Sequence, residues 1–206
     1  MSAELFFIYD SHCPWSYAAT PLVNAVKQSL PQVSLNLWHC AYFSDADGEN
    51  VITKQQIVQV KELSSVSFSP DYMKNLSQGR DSTLCANLMT WATNKTSQQA
   101  LSLLNALQAA HFGAGKQLSE QADFTNIVNE FKLSVPAKVF NNSKLTNDAV
   151  AQVHEIYALQ EIITTKAIPA LLLAINDELI LLNHNLYLQN PDDFIDAIKL
   201  ELNKHS

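Results

Sequence analysis

Apolar residues come in short runs at the two ends of the chain and at helical spacing through its middle. "ELFFIYD" (4–10) is short, aromatic and β-branched, and it stops at turn residues, which predicts a buried strand. From Pro14 the pattern changes: Tyr17, Ala18, Leu22, Ala25 and Val26 fall on one stripe of a helix. Pro14 suits the first helical position, where its missing N–H costs nothing, and Pro21 inside the helix should kink it. "VSLNLWHCAYF" (33–43) alternates again, with Val33, Leu35 and Leu37 on one side of a second strand.

About ninety residues of helical pattern follow. "TKQQIVQVKEL" is one helix. "DSTLCANLMTWA" places Leu84, Cys85, Leu88, Met89 and Ala92 on one face behind Asp81 as the expected N-cap. "SQQALSLLNALQAAHF" is capped by Ser97 and ends near Gly113, and "DFTNIVNEF" buries Phe124, Ile127, Val128 and Phe131. After Pro136, "LTNDAVAQVHEIYALQEII" is a long helix with Asn147 as the expected N-cap. "PALLLAI" and "ELILL" flank "ND" as a hairpin. Asn190-Pro191-Asp192-Asp193 starts a last helix that buries Phe194, Ala197, Ile198 and Leu202. A helical block between strands that share one sheet reads as an insertion.

The 206 residues, 47% apolar and 16% charged, suffice for a packed core. A net charge of −7 without a Lys/Arg cluster argues against nucleic-acid binding. The N-terminus lacks the basic start and long apolar run of a secretory signal, and no stretch has the ~18 apolar residues of a membrane span, so a cytoplasmic location without membrane association is expected. In that reducing setting three widely spaced cysteines are not a disulfide framework. The histidines at 39, 111, 154, 184 and 205 show no ligand spacing and only four glycines leave no phosphate loop, so neither a metal nor a bound cofactor is expected.

"DSHCPWSYAATP" (10–21) carries the chemistry. Cys13 stands where a helix begins, and unpaired N–H groups and the helix dipole favour a thiolate there. A lowered pKa and a partly accessible thiol are therefore expected at Cys13, helped by His12. Asp10 either caps the turn or tunes the proton balance at Cys13. For Cys40 and Cys85 the expectation is a core role, as it is for Trp91 and Phe112.

The segment resembles the active site of DsbA-like thioredoxin-fold oxidoreductases, the FrnE-like branch above all, whose motif runs Asp, two residues, then Cys-Pro-Trp-Cys-Tyr. Asp10, Cys13, Pro14, Trp15 and Tyr17 match; Ser16 replaces the second cysteine. Pro21 falls at the family's helix-kinking proline, and Ile168-Pro169 at the cis-proline that lies against the active-site cysteine. The resemblance implies an α/β thioredoxin fold with an inserted α-helical domain: a thioredoxin-like part over 1–48 and 138–206, and the insertion over 49–137. It implies a monothiol disulfide oxidoreductase or isomerase. Cys13 and Ser16 would be catalytic; Asp10, His12, Pro14, Trp15, Ile168 and Pro169 would support them. Protein or small-molecule disulfides would be the substrates and glutathione the co-substrate. The serine also brings in kappa-class glutathione transferases and 2-hydroxychromene-2-carboxylate isomerases, which share the architecture. A peptide-binding module beside Pro169 is the remaining alternative.

Overall fold

A computed structural model describes residues 3–44, 51–141, 143–176 and 178–205. Strand β1 (Ala3–Tyr9) pairs in parallel with β2 (Val33–His39) and antiparallel with β3 (Ala170–Ile175), which pairs antiparallel with β4 (Glu178–Leu182). The sheet order is β2-β1-β3-β4, uniting the four predicted strands. The Ile175↔Glu178 register leaves a two-residue connection, as the "ND" pattern predicts; Asn176 takes a positive φ of 54°, while Asp177 lies outside the described residues.

Period-two alternation decides what each face buries. Leu5, Phe7 and Tyr9 of β1 and Leu171, Leu173 and Ile175 of β3 join a core with α1 (Pro14–Ser29) and α8 (Pro191–Lys204). Ile8, Ala170 and Leu172 face the other way, onto Ile156 of α7 (Asn147–Ile162). Between β2 and α7 lie α2 (Lys54–Leu63), α3 (Pro70–Lys74), α4 (Thr83–Lys95), α5 (Ser97–Gln108) and α6 (Gln121–Glu130), the predicted helical block. Leu84, Leu88, Leu103, Leu104 and Leu107 are buried with the sheet residues in one continuous core, so the block is packed onto the sheet.

Several details differ from the sequence reading. The second strand stops at His39 instead of Phe43, because Ala41 turns the chain with a φ of 51°. Three N-caps lie one residue from those expected: Ser82, Thr96 and Thr146 take the place of Asp81, Ser97 and Asn147. Asp81 accepts from the Thr83 N–H without being the cap, and Thr146 caps α7 through the Ala149 N–H. The short α3 had no sequence signal beyond Ser69-Pro70, and α5 passes into a single π-helical turn, Ala109–Gly113. Helix α1 runs through Pro21 unbroken.

Candidate active site

At the end of β1 the chain turns, with the Cys13 N–H donating to the Asp10 carbonyl at 3.1 Å. Cys13 is the N-cap of α1, with extended backbone (φ −84°, ψ 120°), and Pro14 follows as the first helical residue. The Ser16 and Trp15 N–H groups and the Ser16 hydroxyl lie on the side of its sulfur and act to lower its pKa. Ser16 Oγ accepts the Asp10 N–H at 3.3 Å, which leaves its proton for the sulfur. The Ile168-Pro169 bond is cis, and Ile168 packs against the Cys13 cluster. A cleft of about 380 Å³ opens beside Cys13, walled by Trp15, Phe43, Ile52, Lys166 and Ile168. A second cavity of about 720 Å³ shares Tyr42, Lys166 and Ile168 with it and reaches Cys40 and α7.

The thiol itself departs from expectation. Cys13 is 7% exposed, under Phe43, Ile52, Tyr72 and Phe112. Burial pushes its pKa up; the Ser16 N–H and hydroxyl oppose this, and the Asp10 charge adds to the rise. The lowering expected of a helix N-terminus is therefore outweighed by desolvation from residues 30 to 100 positions away. Cys40 is 7% exposed and pushed well up by burial, yet it lines the larger cavity, so it is not only a core residue. Cys85 is fully buried and its pKa is pushed well up by desolvation, an inert core thiol as expected. Phe112 is in the core too, but stacked on Tyr17 at 4.5 Å in the aromatic cluster behind Cys13.

Sequence reasoning missed a buried polar cluster behind the cysteine. Asp10 is fully buried and accepts three hydrogen bonds: from the His12 N–H at 2.8 Å, the Phe43 N–H at 3.3 Å and the Ser82 hydroxyl at 2.7 Å. The Ala41 N–H points at His39 Nδ1 and the Ser11 N–H at His39 Nε2, 3.1 Å each, and Ser11 Oγ lies 2.9 Å from Nε2. Ser11 Oγ is 3.2 Å from His12 Nδ1, and His12 Nε2 donates to the Gln117 carbonyl at 2.9 Å. His12 also packs against His111, ring centroids 4.1 Å apart and planes tilted by 57°, and His111 Nδ1 donates to the Lys116 carbonyl at 2.7 Å. Burial lowers the pKa of all three histidines, His39 to about 4, so they are neutral rings. His12 thus anchors the loop and supplies no charge to Cys13, a correction to the expected help. The His39 position had one signal: the parallel register sets Tyr9 opposite His39, which puts His39 beside Asp10 and Ser11.

Among the described residues no group of three or more His, Cys, Asp and Glu is placed to hold a metal. Among the same residues no helix is long and apolar enough to cross a membrane.

With this geometry in hand, comparison with known proteins decides the family. A profile described as the DSBA-like thioredoxin domain matches residues 4–160. The chain belongs to that family. Its four-stranded mixed sheet with helices inserted between β2 and α7 is the DsbA-like thioredoxin fold. Among solved structures it is similar to the cytosolic disulfide reductase DsbM from Pseudomonas aeruginosa, at 20% identity and a TM-score of 0.83 over 97% of this chain and 98% of that one. A second DsbM structure, described as with GSH, aligns at 20% identity and a TM-score of 0.81 over 97% and 99% of the two chains. A 2-hydroxychromene-2-carboxylate isomerase aligns at 16% identity and a TM-score of 0.56 over 98% and 99%. No curated protein sequence matches the chain significantly.

Proposed function

We propose that this protein is a thiol–disulfide oxidoreductase acting through the single nucleophile Cys13 on protein or glutathione mixed disulfides. The observation that carries the reading is Ser16. Its hydroxyl stands at the motif position of a second thiol and acts to lower the Cys13 pKa, while accepting the Asp10 N–H. In the first step the Cys13 thiolate attacks R–S–S–R′, forming Cys13–S–S–R and releasing R′–S⁻. Ser16 has no sulfur with which to close an internal disulfide. A free thiolate R″–S⁻ must then attack the R sulfur, giving R–S–S–R″ and restoring Cys13–S⁻. Glutathione suits that second role, and the GSH-bound DsbM structure supports it. The description of DsbM as cytosolic supports a cytoplasmic location. The chemistry needs no bound cofactor. Ile168, Trp15 and Pro14 line the cleft, Pro169 follows Ile168 through the cis bond, and the domain division at 49–137 is part of this proposal.

Two assays test it on the natural protein and two variants: insulin reduction, and reduction of a glutathione mixed disulfide. Cys13→Ser should lose both activities. The natural protein should reduce the mixed disulfide only with added glutathione. Ser16→Cys should reduce insulin without it, since positions three apart at a helix start share one face. Full activity in Cys13→Ser would refute the assignment. A natural protein silent in both assays that conjugates glutathione to an electrophile would favour the transferase or isomerase reading, which rests on Ser16 and the likeness to the chromene isomerase.

A further inference from the structure

We propose that Asp10 is a positioning residue through which the helical insertion sets the reactivity of Cys13. The inference rests on the assignment of Cys13 as nucleophile but is read on the thiol itself. Asp10 stands three residues before Cys13, and its carbonyl and N–H are already part of the site, bonded to the Cys13 N–H and to Ser16 Oγ. Its carboxylate binds three separate segments. Oδ1 takes the His12 N–H of the active-site loop, and Oδ2 takes the Phe43 N–H after β2 and the hydroxyl of Ser82, the N-cap of α4. Ser82 is fully buried and lies 72 residues along the chain, inside the helical block. One side chain thus ties the loop that bears the nucleophile, the wall of its cleft and the insertion.

The arrangement has an electrical consequence. A carboxylate in a dry pocket acts on nearby charges far more strongly than one in water. The Asp10 charge opposes a thiolate at Cys13, whereas the Ser82 hydroxyl disperses that charge. Among the described residues, the other ionisable groups near the sulfur are Cys40, Tyr72 with Arg80 over its ring and, in the cleft wall, Lys166. Those around Asp10 are Tyr9, His12, His39 and Cys85, whose buried side chains Asp10 also perturbs. Tyr9 and Cys85 are pushed up by burial and the two histidines pushed down, so none brings a compensating charge at neutral pH. Burial and Ser16 act on Cys13 most, and Asp10 with its donors is the buried charge that adds to the effect of burial. A Cys13 held toward the thiol is a poor leaving group, so a glutathione adduct on it persists until an incoming thiol removes it.

The test is the pH profile of Cys13 alkylation in a background with Cys40 and Cys85 changed to serine. Asp10→Asn keeps the size of the side chain and one acceptor oxygen but removes the charge. Its profile should shift to lower pH, with alkylation at neutral pH roughly threefold or more faster. Ser82→Ala keeps the charge and removes its donor, and its profile should shift to higher pH. Opposite signs are the signature, because a merely structural clamp, once loosened, moves both variants the same way, toward the profile of a free thiol. Glutathione should also discharge a Cys13 adduct, followed by mass, faster in Asp10→Asn than in the parent. Shifts of the same sign, or no shift in either variant, overturn the proposal. If Asp10→Asn does not fold, an unchanged or lowered profile in Ser82→Ala overturns it alone. Loss of both disulfide-exchange activities with the opposite shifts intact would count against the function proposed for Cys13 and leave the role of Asp10 standing.

Discussion

Acidification should unfold this protein from the active-site loop outward, and His39 sets the scale. Its ring is fully buried, with the Ala41 N–H aimed at Nδ1 and the Ser11 N–H at Nε2, 3.1 Å each. A second ring proton would face a backbone donor, and burial lowers the pKa from 6.5 to about 4. A histidine with a lowered folded-state pKa leaves the unfolded chain binding more protons below pH 6.5. The stabilisation is therefore complete above pH 6.5 and drains away as pH falls toward 4. A gap from 6.5 to about 4 costs roughly 3 kcal/mol once pH is below both values, and roughly 2 kcal/mol by pH 5. His12, His111 and His184 are lowered by burial as well and add to the loss with the same sign. Against a typical domain stability of about 5–15 kcal/mol, that is a large share. Urea unfolding at pH 8, 7, 6 and 5 and fixed ionic strength measures it. The midpoint should fall steadily below pH 7 with an unchanged slope. His39→Asn should be less stable at pH 8, where the buried ring packed between the Ser11 and Ala41 N–H groups is lost, yet show a shallower fall between pH 7 and 5. A midpoint that is flat or rises on acidification would refute the argument, as would an unaltered fall in His39→Asn.

Two further substitutions probe the site and its support. Ser16→Ala removes a hydroxyl that acts to lower the Cys13 pKa, so alkylation of Cys13 should shift to higher pH and glutathione exchange at neutral pH should slow; an unchanged profile would make Ser16 a spacer. Gly115 has a φ of 69°, and a Cβ there would lie 2.9 Å from backbone atoms of Asp71 and Tyr72. Gly115→Ala should therefore cost about 1–3 kcal/mol in chemical denaturation and loosen the packing of α3, whose Tyr72 covers Cys13; a loss below about 0.5 kcal/mol would show that the turn yields.

What the sequence made legible, and what it hid, divides by distance along the chain. The strands were readable because their apolar residues are consecutive or alternate, and the sheet pairs just those runs. The caps slipped by one where two capping residues adjoin, Asp81-Ser82, Thr96-Ser97 and Thr146-Asn147; only the geometry of the first turn chooses between neighbours of equal chemistry. The position of Cys13 at the start of α1 is local, so it was found. Its electrostatics are not local. A helix N-terminus favours a thiolate, but Phe43, Ile52, Tyr72 and Phe112 desolvate this one, and nothing in "DSHCPWSY" reveals that cover. The histidine cluster was hidden for the same reason: His12, His39 and His111 meet only because β2 runs parallel to β1 and the π-helical turn after α5 is brought against the loop. Ser16 lies between these cases. The sequence showed a hydroxyl in place of a thiol; the fold gives it an acceptor role toward the Asp10 N–H and a donor role toward the Cys13 sulfur. With no second sulfur in the motif, that hydroxyl is the side chain whose effect favours the thiolate, in a site where burial and Asp10 both oppose it.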